Sequence, residues 1–470
     1  MPVQLPLFTI SGLRGIVGED LFPETVARVA AAFGSTVGQG PVVLGRDTRL
    51  SSEALYSAAA AGLTSAGCET VLLGICPTPT VVHHVRTTRT AGGIVITASH
   101  NPENWNGMKF VSRDALFIAG PEIAALKKLA NAGFTRPDAT QLKPYRTDTH
   151  AVVIHINAIS GSELFDGVRE KLTGRKLKVG IDAVNGAASV AAARLVSAFG
   201  AEPVELFCRT DPDSARRGFP RRPEPTAENL GELCRLVRES KLDLGMAFDP
   251  DGDRFSCVDE TGTALGEEAT ICLACQFVLR RRKGPVVVNL STTRAVEDVC
   301  WQFNVPVERT AVGEVAVVEK MRKINAVVGG EGNGGVIVPE LNTTRDGLVA
   351  AAAVFGLLAE TGKKLSEIRA GLPEYHMARA RLEIDRKTFE SGLDRLAAGF
   401  GDTRQKRTDG LRLEGADWWL HVRPSNTEPM VRVVAEAKAA EQAAALVERV
   451  KAVFGSEPVP ADRPAAARDA

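Results

Sequence analysis

The sequence predicts an α/β protein built from three related α/β domains with mixed sheets and a C-terminal α+β domain. Its 470 residues are enough for roughly three or four domains. A unit of strand, polar turn, helix and strand occurs three times at wide spacing, with its first strand beginning at Val42, Val179 and Val286. The section from Met377 onward differs, because alternating strand patterns there surround one helical stretch and precede another.

The elements of each unit follow from local patterns. In the first unit, apolar residues 42–44 precede a polar turn at 45–49, and a helix begins at about Ser51 with Ser51 or Ser52 as its cap. In the second unit the helix ends near Phe199, and in the third near Phe303. We therefore expect four domains and a disordered, Pro- and Ala-rich tail, with the following bounds: 1–152, 153–258, 259–374, 375–456 and, for the tail, 457–470.

The composition excludes several classes of function. Lys+Arg and Asp+Glu number 57 each, so neither nucleic acid nor an anionic membrane surface is expected as a partner. Residues 1–7 lack a signal-peptide pattern, and the apolar stretch 348–359 is too short to span a bilayer. We expect a cytoplasmic protein. Cys272 and Cys275 have metal-ligand spacing, but they lie in an apolar helical pattern without a second pair and are expected to be buried thiols.

A serine stands at the tip of an apolar strand. Residues 91–96 read as a buried strand, and Ser99 and His100 follow in a polar turn that Pro102 closes. Lys109 lies ten residues beyond Ser99, in the next strand. A hydroxyl and an ammonium in this arrangement suit a nucleophile that handles phosphate. The alternative is an ordinary strand-loop-strand with a surface serine.

Three carboxylates alternate along a second loop. Asp249, Asp251 and Asp253 follow an apolar run, and oxygen ligands of this kind suit Mg²⁺. Together with Glu260 they also match positions 1, 3, 5 and 12 of a calcium-binding EF loop, but Arg254 stands where that loop requires glycine. A solvated acidic turn is the remaining alternative, although crowding three carboxylates without a cation is costly.

Three further stretches carry groups suited to a phosphorylated ligand. Arg14 lies between Gly12 and Gly15, in a turn that can present a guanidinium to a phosphate or carboxylate. Glu331 and Asn333 lie in the glycine-rich segment 329–335 and can hydrogen-bond to sugar hydroxyls or an amine. The alternatives are a surface turn and a flexible turn, respectively.

The third stretch lies between two strands of the last domain and can surround a phosphate dianion. The alternative is a polar hairpin. Its candidate residues are Arg423, Ser425, Asn426, Thr427 and Arg432.

Taken together, these loops resemble the α-D-phosphohexomutase family over Phe8 to about Phe454. The resemblance implies four domains around a central cleft, with one loop from each. It also implies phosphorylation of Ser99 and one Mg²⁺ per chain, held by phospho-Ser99 and the three aspartates. By the same resemblance Lys109 is a candidate general acid/base, Arg14 lies near the phosphoserine and His100 belongs to the catalytic loop. The sugar and its second phosphate would be bound by Arg254, Glu331, Asn333, Arg423, Ser425, Asn426, Thr427 and Arg432.

The sugar loop departs from the family's commoner pattern, Glu-x-Ser-Gly-His. Asn333 stands at the serine position and Gly335 at the histidine position. The proton-transfer role of that histidine therefore cannot be assigned to position 335, and Lys109 becomes the main candidate for proton transfer. The Glu-x-Asn-Gly version is similar to that of some amino-sugar mutases, among them archaeal-type phosphoglucosamine mutases.

The resemblance implies reversible phosphoryl transfer between O6 and O1 of a hexose through a 1,6-bisphosphate, which also serves as activator. Glucosamine-6-phosphate is the first-ranked substrate, because Glu331 and Asn333 can address an amine at C2. Neutral hexose phosphates, as in a phosphoglucomutase/phosphomannomutase, are the alternative. More remote are a phosphatase and a non-catalytic regulator that binds sugar phosphates. The partner is a small sugar phosphate, and the chain is expected to be a monomer or a homodimer.

Overall fold

The computed structural model describes residues 7–9, 12–133, 136–401, 403–425 and 430–455. Within these ranges the chain forms four sheets in chain order. The first three are mixed and the last is antiparallel, which confirms the predicted fold class. The predictions made for Asn426, Thr427 and the tail at 457–470 lie outside the described residues.

The first domain is a seven-stranded sheet with helices on both faces, in the strand order β1-β2-β6-β5-β3-β4-β7. Its elements are β1 Leu7–Thr9, β2 Gly12–Ile16, α1 Pro23–Thr36, β3 Val42–Arg46, α2 Ser52–Ser65, β4 Thr70–Ile75, α3 Thr78–Thr88, β5 Gly92–Ile96, β6 Trp105–Val111, α4 Pro121–Ala132 and β7 Tyr145–Thr147.

The second domain carries a four-stranded sheet in the order β11-β10-β8-β9. Its elements are α5 Ala151–Ser160, α6 Val168–Thr173, β8 Lys178–Asp182, α7 Ala192–Ala198, β9 Glu202–Phe207, α8 Pro212–Arg217, α9 Gly231–Glu239, β10 Leu244–Phe248 and β11 Phe255–Asp259.

The third domain repeats this arrangement in the order β13-β12-β14-β15. Its elements are α10 Glu267–Arg281, β12 Val286–Asn289, α11 Ala295–Trp301, β13 Val307–Thr310, α12 Glu314–Ile324, β14 Val328–Glu331, β15 Gly335–Ile337, α13 Gly347–Thr361 and α14 Leu365–Ala370.

The fourth domain packs two helices against a five-stranded sheet in the order β16-β20-β19-β18-β17. Its elements are β16 His376–Leu382, α15 Arg386–Ala398, β17 Arg404–Lys406, β18 Leu411–Glu414, β19 Trp418–Pro424, β20 Val431–Ala437 and α16 Ala440–Phe454.

The first three sheets share one strand plan. In each, the first strand of the repeated unit (β3, β8 or β12) pairs in parallel with the second and the third, and a fourth strand pairs antiparallel with the third. The repetition predicted from the sequence is thereby confirmed. The loop from the third to the fourth strand holds Ser99 in the first domain, Asp249–Arg254 in the second and the glycine-rich turn at 332–334 in the third. Three topologically equivalent loops therefore carry the serine, the aspartates and the glycine-rich turn that the sequence analysis identified as candidate functional residues.

Apolar packing joins the second and third domains. A single buried cluster includes Phe199 from the second domain with Phe277 and Phe355 from α10 and α13 of the third. Helix α13 begins at Gly347, where the Asp346 carboxylate accepts from the backbone N–H groups of Leu348 and Val349. The chain segments that present the second and third loops thus rest on one common core.

Two details differ from the sequence-based expectations. Ser51 does not cap α2 with its side chain, because its Oγ accepts from Asn106 Nδ2 at 2.9 Å. The second-unit helix is broken, since a 3₁₀ turn at Ala187–Val190 precedes α7. Cys272 and Cys275 are free and buried in α10, as expected. Within the described ranges, no helix combines the length and apolarity that crossing a membrane would require.

Candidate active site

Ser99 occupies the tip of the loop between β5 and β6. Its φ of 52° lies in the left-handed region, which non-glycine residues adopt at a cost of about 1–3 kcal/mol. The residue is buried, and its Oγ donates to Oδ2 of Asp249 over 3.2 Å. The backbone N–H of Ser99 donates to Thr97 Oγ1 at 2.9 Å. The loop thus presents the hydroxyl directly to the second domain.

Arg49 holds this loop in its strained conformation. Its guanidinium donates to the backbone carbonyls of Ser99 and Asn101, both at 2.7 Å, and also to those of Pro102 and Trp105. Asp47 accepts from Arg49 Nε at 3.1 Å and from Thr97 Oγ1 at 2.7 Å. Sequence reasoning noted the 45–49 turn but gave neither residue a role, because their partners lie about fifty positions further along the chain.

Asp249, Asp251 and Asp253 form a compact buried group. One carboxylate oxygen from each lies within 4.8 Å of the others. Burial, together with Asp251 and Asp253, raises the pKa of Asp249 well above its ordinary value. Among the described residues, no hydrogen-bond donor reaches Oδ1 of Asp251 or Oδ1 of Asp253. Buried oxygens left open in this way suit a hard divalent cation.

The loop's surroundings decide between the earlier alternatives. The flanking elements are strands β10 and β11, whereas a calcium-binding EF loop joins two helices, so that alternative is wrong. A solvated acidic turn is also wrong, since all three aspartates are buried.

Lys109 in β6 reaches across to the aspartates. Its Nζ donates to Asp251 Oδ2 at 2.7 Å and to Asp253 Oδ2 at 2.9 Å. Burial alone would lower the pKa of Lys109, but the two carboxylates outweigh it and raise the pKa above the ordinary value. Thr78 at the start of α3 donates to the same Asp251 oxygen at 2.6 Å. The first domain therefore supplies both the serine and an ammonium to the aspartate loop.

His100, Arg14 and Arg254 line the other side of the serine loop. Arg254 Nη2 donates to His100 Nδ1 at 2.8 Å, and Arg254 Nη1 donates to Glu224 at 2.8 Å. Burial, followed by Arg254 and Arg14, lowers the pKa of His100 well below its ordinary value, so the imidazole is neutral and Nδ1 is an acceptor. Arg14 Nη1 donates to Asn101 Oδ1 at 2.7 Å.

The guanidinium group of Arg14 remains positively charged although it is buried. Desolvation lowers the pKa of Arg14 only to about 10, so Arg14 stays charged at neutral pH. Two fixed guanidinium groups therefore lie beside the serine loop, where they can meet an anionic ligand.

The third loop is held by buried hydrogen bonds. Glu331 accepts from Asn289 Nδ2 at 2.8 Å, from the Gly313 N–H at 3.1 Å and from Arg345 Nη1 at 3.0 Å. Asn333 Oδ1 accepts from the Gly335 N–H at 3.1 Å. Both predicted sugar-binding side chains are thus fixed in place by the protein itself.

The last loop contributes two arginines on neighbouring strands. Arg423 in β19 and Arg432 in β20 are register partners, and the Ser425 N–H donates to the Met430 carbonyl at 2.8 Å. Burial is the main cause that lowers the pKa of Arg423, and the neighbouring charge of Arg432 lowers it further. The carboxylates of Asp409 and Glu331 act in the opposite direction. Arg423 is therefore within electrostatic range of the sugar loop.

The structure brings the serine, the three aspartates, Lys109 and Arg254 into one connected network. Arg345 extends this network to Glu331, since its Nη2 donates to Asp253 Oδ2 at 2.8 Å. Sequence reasoning missed Arg345 and Glu224. The available signal for Arg345 was a charged pair, Arg345 and Asp346, directly before the apolar stretch 348–359.

The chain resembles known proteins along nearly all of its length. Models of phosphoglucomutase/phosphomannomutase match α/β/α domain I at residues 6–136, domain II at 155–262, domain III at 266–375 and the C-terminal domain at 379–453. A probable phosphoglucosamine mutase of Methanopyrus kandleri is 34% identical over 93% of this chain and 95% of its own length. A phosphoglucomutase/phosphomannomutase of Thermococcus kodakarensis is 33% identical over 94% and 97%.

A solved structure agrees with these matches. The crystal structure of a phosphoglucomutase/phosphomannomutase family protein from Burkholderia thailandensis has a TM-score of 0.82 and 28% identity, covering 96% of this chain and 98% of that one. The chain therefore belongs to the phosphoglucomutase/phosphomannomutase family. It is an isomerase of the phosphohexomutase class.

Proposed function

We propose that this chain interconverts the 6- and 1-phosphates of a hexose through a phosphorylated Ser99, and that glucosamine phosphate is its substrate. The observation that carries the mechanism is the 3.2 Å approach of Ser99 Oγ to Asp249 Oδ2, across two domains. It puts a strained, immobilised hydroxyl beside three buried carboxylates suited to one Mg²⁺. A surface serine has no need of such an arrangement.

The reaction is a balanced exchange of one phosphoryl group. The bond from phosphorus to Ser99 Oγ breaks, and a bond from phosphorus to the free sugar hydroxyl forms. The proton that the hydroxyl loses ends on Ser99 Oγ, with Lys109 as the proposed relay, and the product is a hexose 1,6-bisphosphate. After the bisphosphate turns over in the cleft, Ser99 takes the other phosphoryl group by the reverse step. A hexose 1,6-bisphosphate supplied from solution would phosphorylate Ser99 in the same way and so serve as activator.

Each loop has a defined task in this scheme. Arg49 keeps the Ser99 hydroxyl at a fixed position, which reduces the entropy cost of reaching the transition state. Mg²⁺ bound by the three aspartates and phospho-Ser99 would neutralise charge on the transferring oxygens. Arg14 and Arg254 offer guanidinium groups to the reacting phosphate, with His100 fixing the rotamer of Arg254. Arg423 and Arg432, with Ser425, hold the phosphate that does not react.

The choice of an amino sugar rests on the third loop and on the relatives. Glu331 is a buried acceptor, and Asn333 offers both a donor and an acceptor. A carboxylate favours a C2 ammonium over a hydroxyl because the ammonium adds a Coulomb attraction to the hydrogen bond. The Methanopyrus kandleri relative bears the name of an amino-sugar mutase. The Thermococcus kodakarensis relative supports the second candidate, a mutase of neutral hexose phosphates.

The substrate test compares kcat/KM on glucosamine-6-phosphate, glucose-6-phosphate and mannose-6-phosphate, with Mg²⁺ and a trace of the matching 1,6-bisphosphate. We expect the amino sugar to be preferred, and Asn333→Ser to reduce that preference. Asn131→Ser on the exposed face of α4 is the matched control. A preference for the neutral sugars would select the second candidate. Phosphate release without isomerisation would identify a phosphatase.

A further inference from the structure

The guanidinium of Arg345 lies among three carboxylates from different parts of the chain, hydrogen-bonding to two of them and forming an ion pair with the third. Nη2 donates to Asp253 Oδ2 at 2.8 Å in the aspartate loop, and Nη1 donates to Glu331 Oε2 at 3.0 Å in the sugar loop. Nε lies 3.2 Å from Glu314 Oε2 at the start of α12. The residue is 8% exposed. Only the planar fork of an arginine spans three partners in this way, since a lysine offers a single nitrogen.

Gly335 provides the space that Arg345 occupies. A Cβ at position 335 would lie 2.2 Å from Arg345 Cδ and 2.9 Å from Arg345 Cγ. Non-bonded carbon atoms do not approach each other this closely, so any side chain at 335 would displace the aliphatic part of the arginine side chain. The histidine that stands here in the commoner family pattern cannot coexist with Arg345 in this position.

The backbone gives no other reason for glycine at 335. Its φ is outside the left-handed region, whereas neighbouring Gly334 has a φ of 88°. The residue lies in β15 and pairs with Glu331, a geometry that alanine adopts readily. The side chain of Arg345, with Asn333 Oδ1 at 3.0 Å, is what a new Cβ would meet.

We propose that Arg345 is a positioning residue that fixes Asp253 and Glu331 relative to each other, and that Gly335 is required to admit it. The inference rests on the proposed function, because the two residues it joins serve cation binding and sugar recognition. By taking one oxygen of Asp253, the guanidinium leaves Oδ1 directed to the cation site. By taking one oxygen of Glu331, it sets the carboxylate that faces the sugar.

The test is a double-variant cycle of Arg345→Ala, Gly335→Ala and the two combined. We expect each single variant to lower kcat/KM by about 100-fold, the cost of a misplacement near 1 Å, and the combination to be no worse than Arg345→Ala alone. Gly174→Ala is the control for the glycine, because no atom lies within 4 Å of its new Cβ. Arg322→Ala on the exposed face of α12 is the control for the arginine.

A second readout separates positioning from misfolding. With Mg²⁺ alone as the probe, the Mg²⁺ concentration that gives half of the maximal rise in Tm should fall about threefold in Arg345→Ala. The reason is that the positive charge of the guanidinium, which opposes Mg²⁺ binding beside Asp253, has been removed. Tighter Mg²⁺ binding with slower catalysis is not what a damaged fold would give. Gly335→Ala retains all charges and covers the case in which Arg345→Ala does not fold.

The outcomes distinguish this inference from the proposed function. If wild-type protein fails to isomerise any hexose phosphate, the proposed function is wrong, and the Mg²⁺ readout still tests Arg345. If Gly335→Ala is as active as wild type, or if the double variant loses kcat/KM by the product of the two single-variant factors, the inference is overturned. Recovery of activity by Arg345→Lys would also overturn it, since charge alone would then suffice.

Discussion

Lys109 Nζ lies 2.7 Å from Oδ2 of Asp251, and the same nitrogen lies 2.9 Å from Asp253. An ammonium from the first domain therefore shares the carboxylates of the second with any bound cation. Two positive charges that use the same ligands compete for them. Without Mg²⁺, Lys109 and Arg345 are the groups that compensate Asp253, as its lowered pKa reflects: burial raises it, and Arg345, Lys109 and Arg254 lower it by more.

Replacing Lys109 with Met should destabilise the Mg²⁺-free protein by about 3–5 kcal/mol, because removing one partner of a buried ion pair leaves the other uncompensated. Added Mg²⁺ should restore much of that loss, so the Mg²⁺-dependent rise in Tm should exceed that of wild type. Thermal unfolding with and without Mg²⁺ measures both. Lys128→Met on the exposed face of α4 is the control, and an unchanged Mg²⁺ response in Lys109→Met would contradict the shared-ligand arrangement.

Arg49→Lys should slow the enzyme without abolishing substrate binding. A lysine cannot replace the four backbone carbonyl contacts of the guanidinium, so Ser99 would lose its fixed left-handed conformation. We expect kcat to fall about 10- to 100-fold, with KM little changed. Steady-state kinetics test this, with Arg113→Lys, at an exposed arginine of the same domain, as the control. A rise in KM at unchanged kcat would show that Arg49 acts on binding instead.

His421 should make the docking of the fourth domain depend on pH. Its Nε2 lies 2.7 Å from the Asp409 carbonyl and its Nδ1 lies 2.8 Å from Ser291 Oγ, so the neutral ring donates from Nε2 and accepts at Nδ1. Burial lowers the pKa of His421 to about 4, from an ordinary 6.5. A lowered histidine pKa means that the unfolded or undocked state binds the extra proton. Stability is therefore complete above pH 6.5 and is lost as the pH falls towards 4, by about 3 kcal/mol in all.

The check is unfolding followed between pH 4 and 7 in wild type and in His421→Gln, which keeps a donor and an acceptor but does not titrate. The variant should lose less stability than wild type over this interval. Equal pH dependence in the two proteins would mean that other groups are responsible.

Arg423→Ala should weaken binding of every sugar phosphate to a similar extent. In the proposed mechanism Arg423 binds the phosphate that does not react, so its loss removes an interaction present in both ground and transition states. We expect KM to rise about 10- to 100-fold for glucosamine- and glucose-6-phosphate alike, which corresponds to a charge-assisted contact of about 1.5–3 kcal/mol. Arg386→Ala, at an exposed site in α15, is the control. A change in the preference between the two sugars would assign Arg423 to sugar recognition.

The repeated units and their loops could be predicted from the sequence because each depends on local signals. Apolar strands, polar turns and glycines recur in order, and Ser99, the three aspartates and Glu331 stand at the ends of recognisable strands. The three loops are equivalent because the domains share one strand plan, and they are joined by hydrogen bonds between domains.

Residues that act through distant partners could not be predicted in this way. Arg345 contacts Asp253 across 92 positions, and Arg49 contacts Ser99 across 50. Arg49 lies in no pattern that distinguishes it from a surface charge, and the charged pair of Arg345 and Asp346 does not indicate which residues Arg345 contacts. The reason for Gly335 is likewise visible only in three dimensions, because it depends on the path of the Arg345 side chain.

The most direct measurement is the intact mass of the protein after incubation with glucose 1,6-bisphosphate and Mg²⁺, for wild type and for Ser99→Ala, together with turnover of glucosamine-6-phosphate by both. We expect wild type to gain the mass of one phosphate group at Ser99 and to isomerise the substrate, and Ser99→Ala to do neither while still binding the sugar phosphate. Mutase activity in Ser99→Ala, or a stable phosphate on another residue of an active enzyme, would contradict the phosphoserine mechanism.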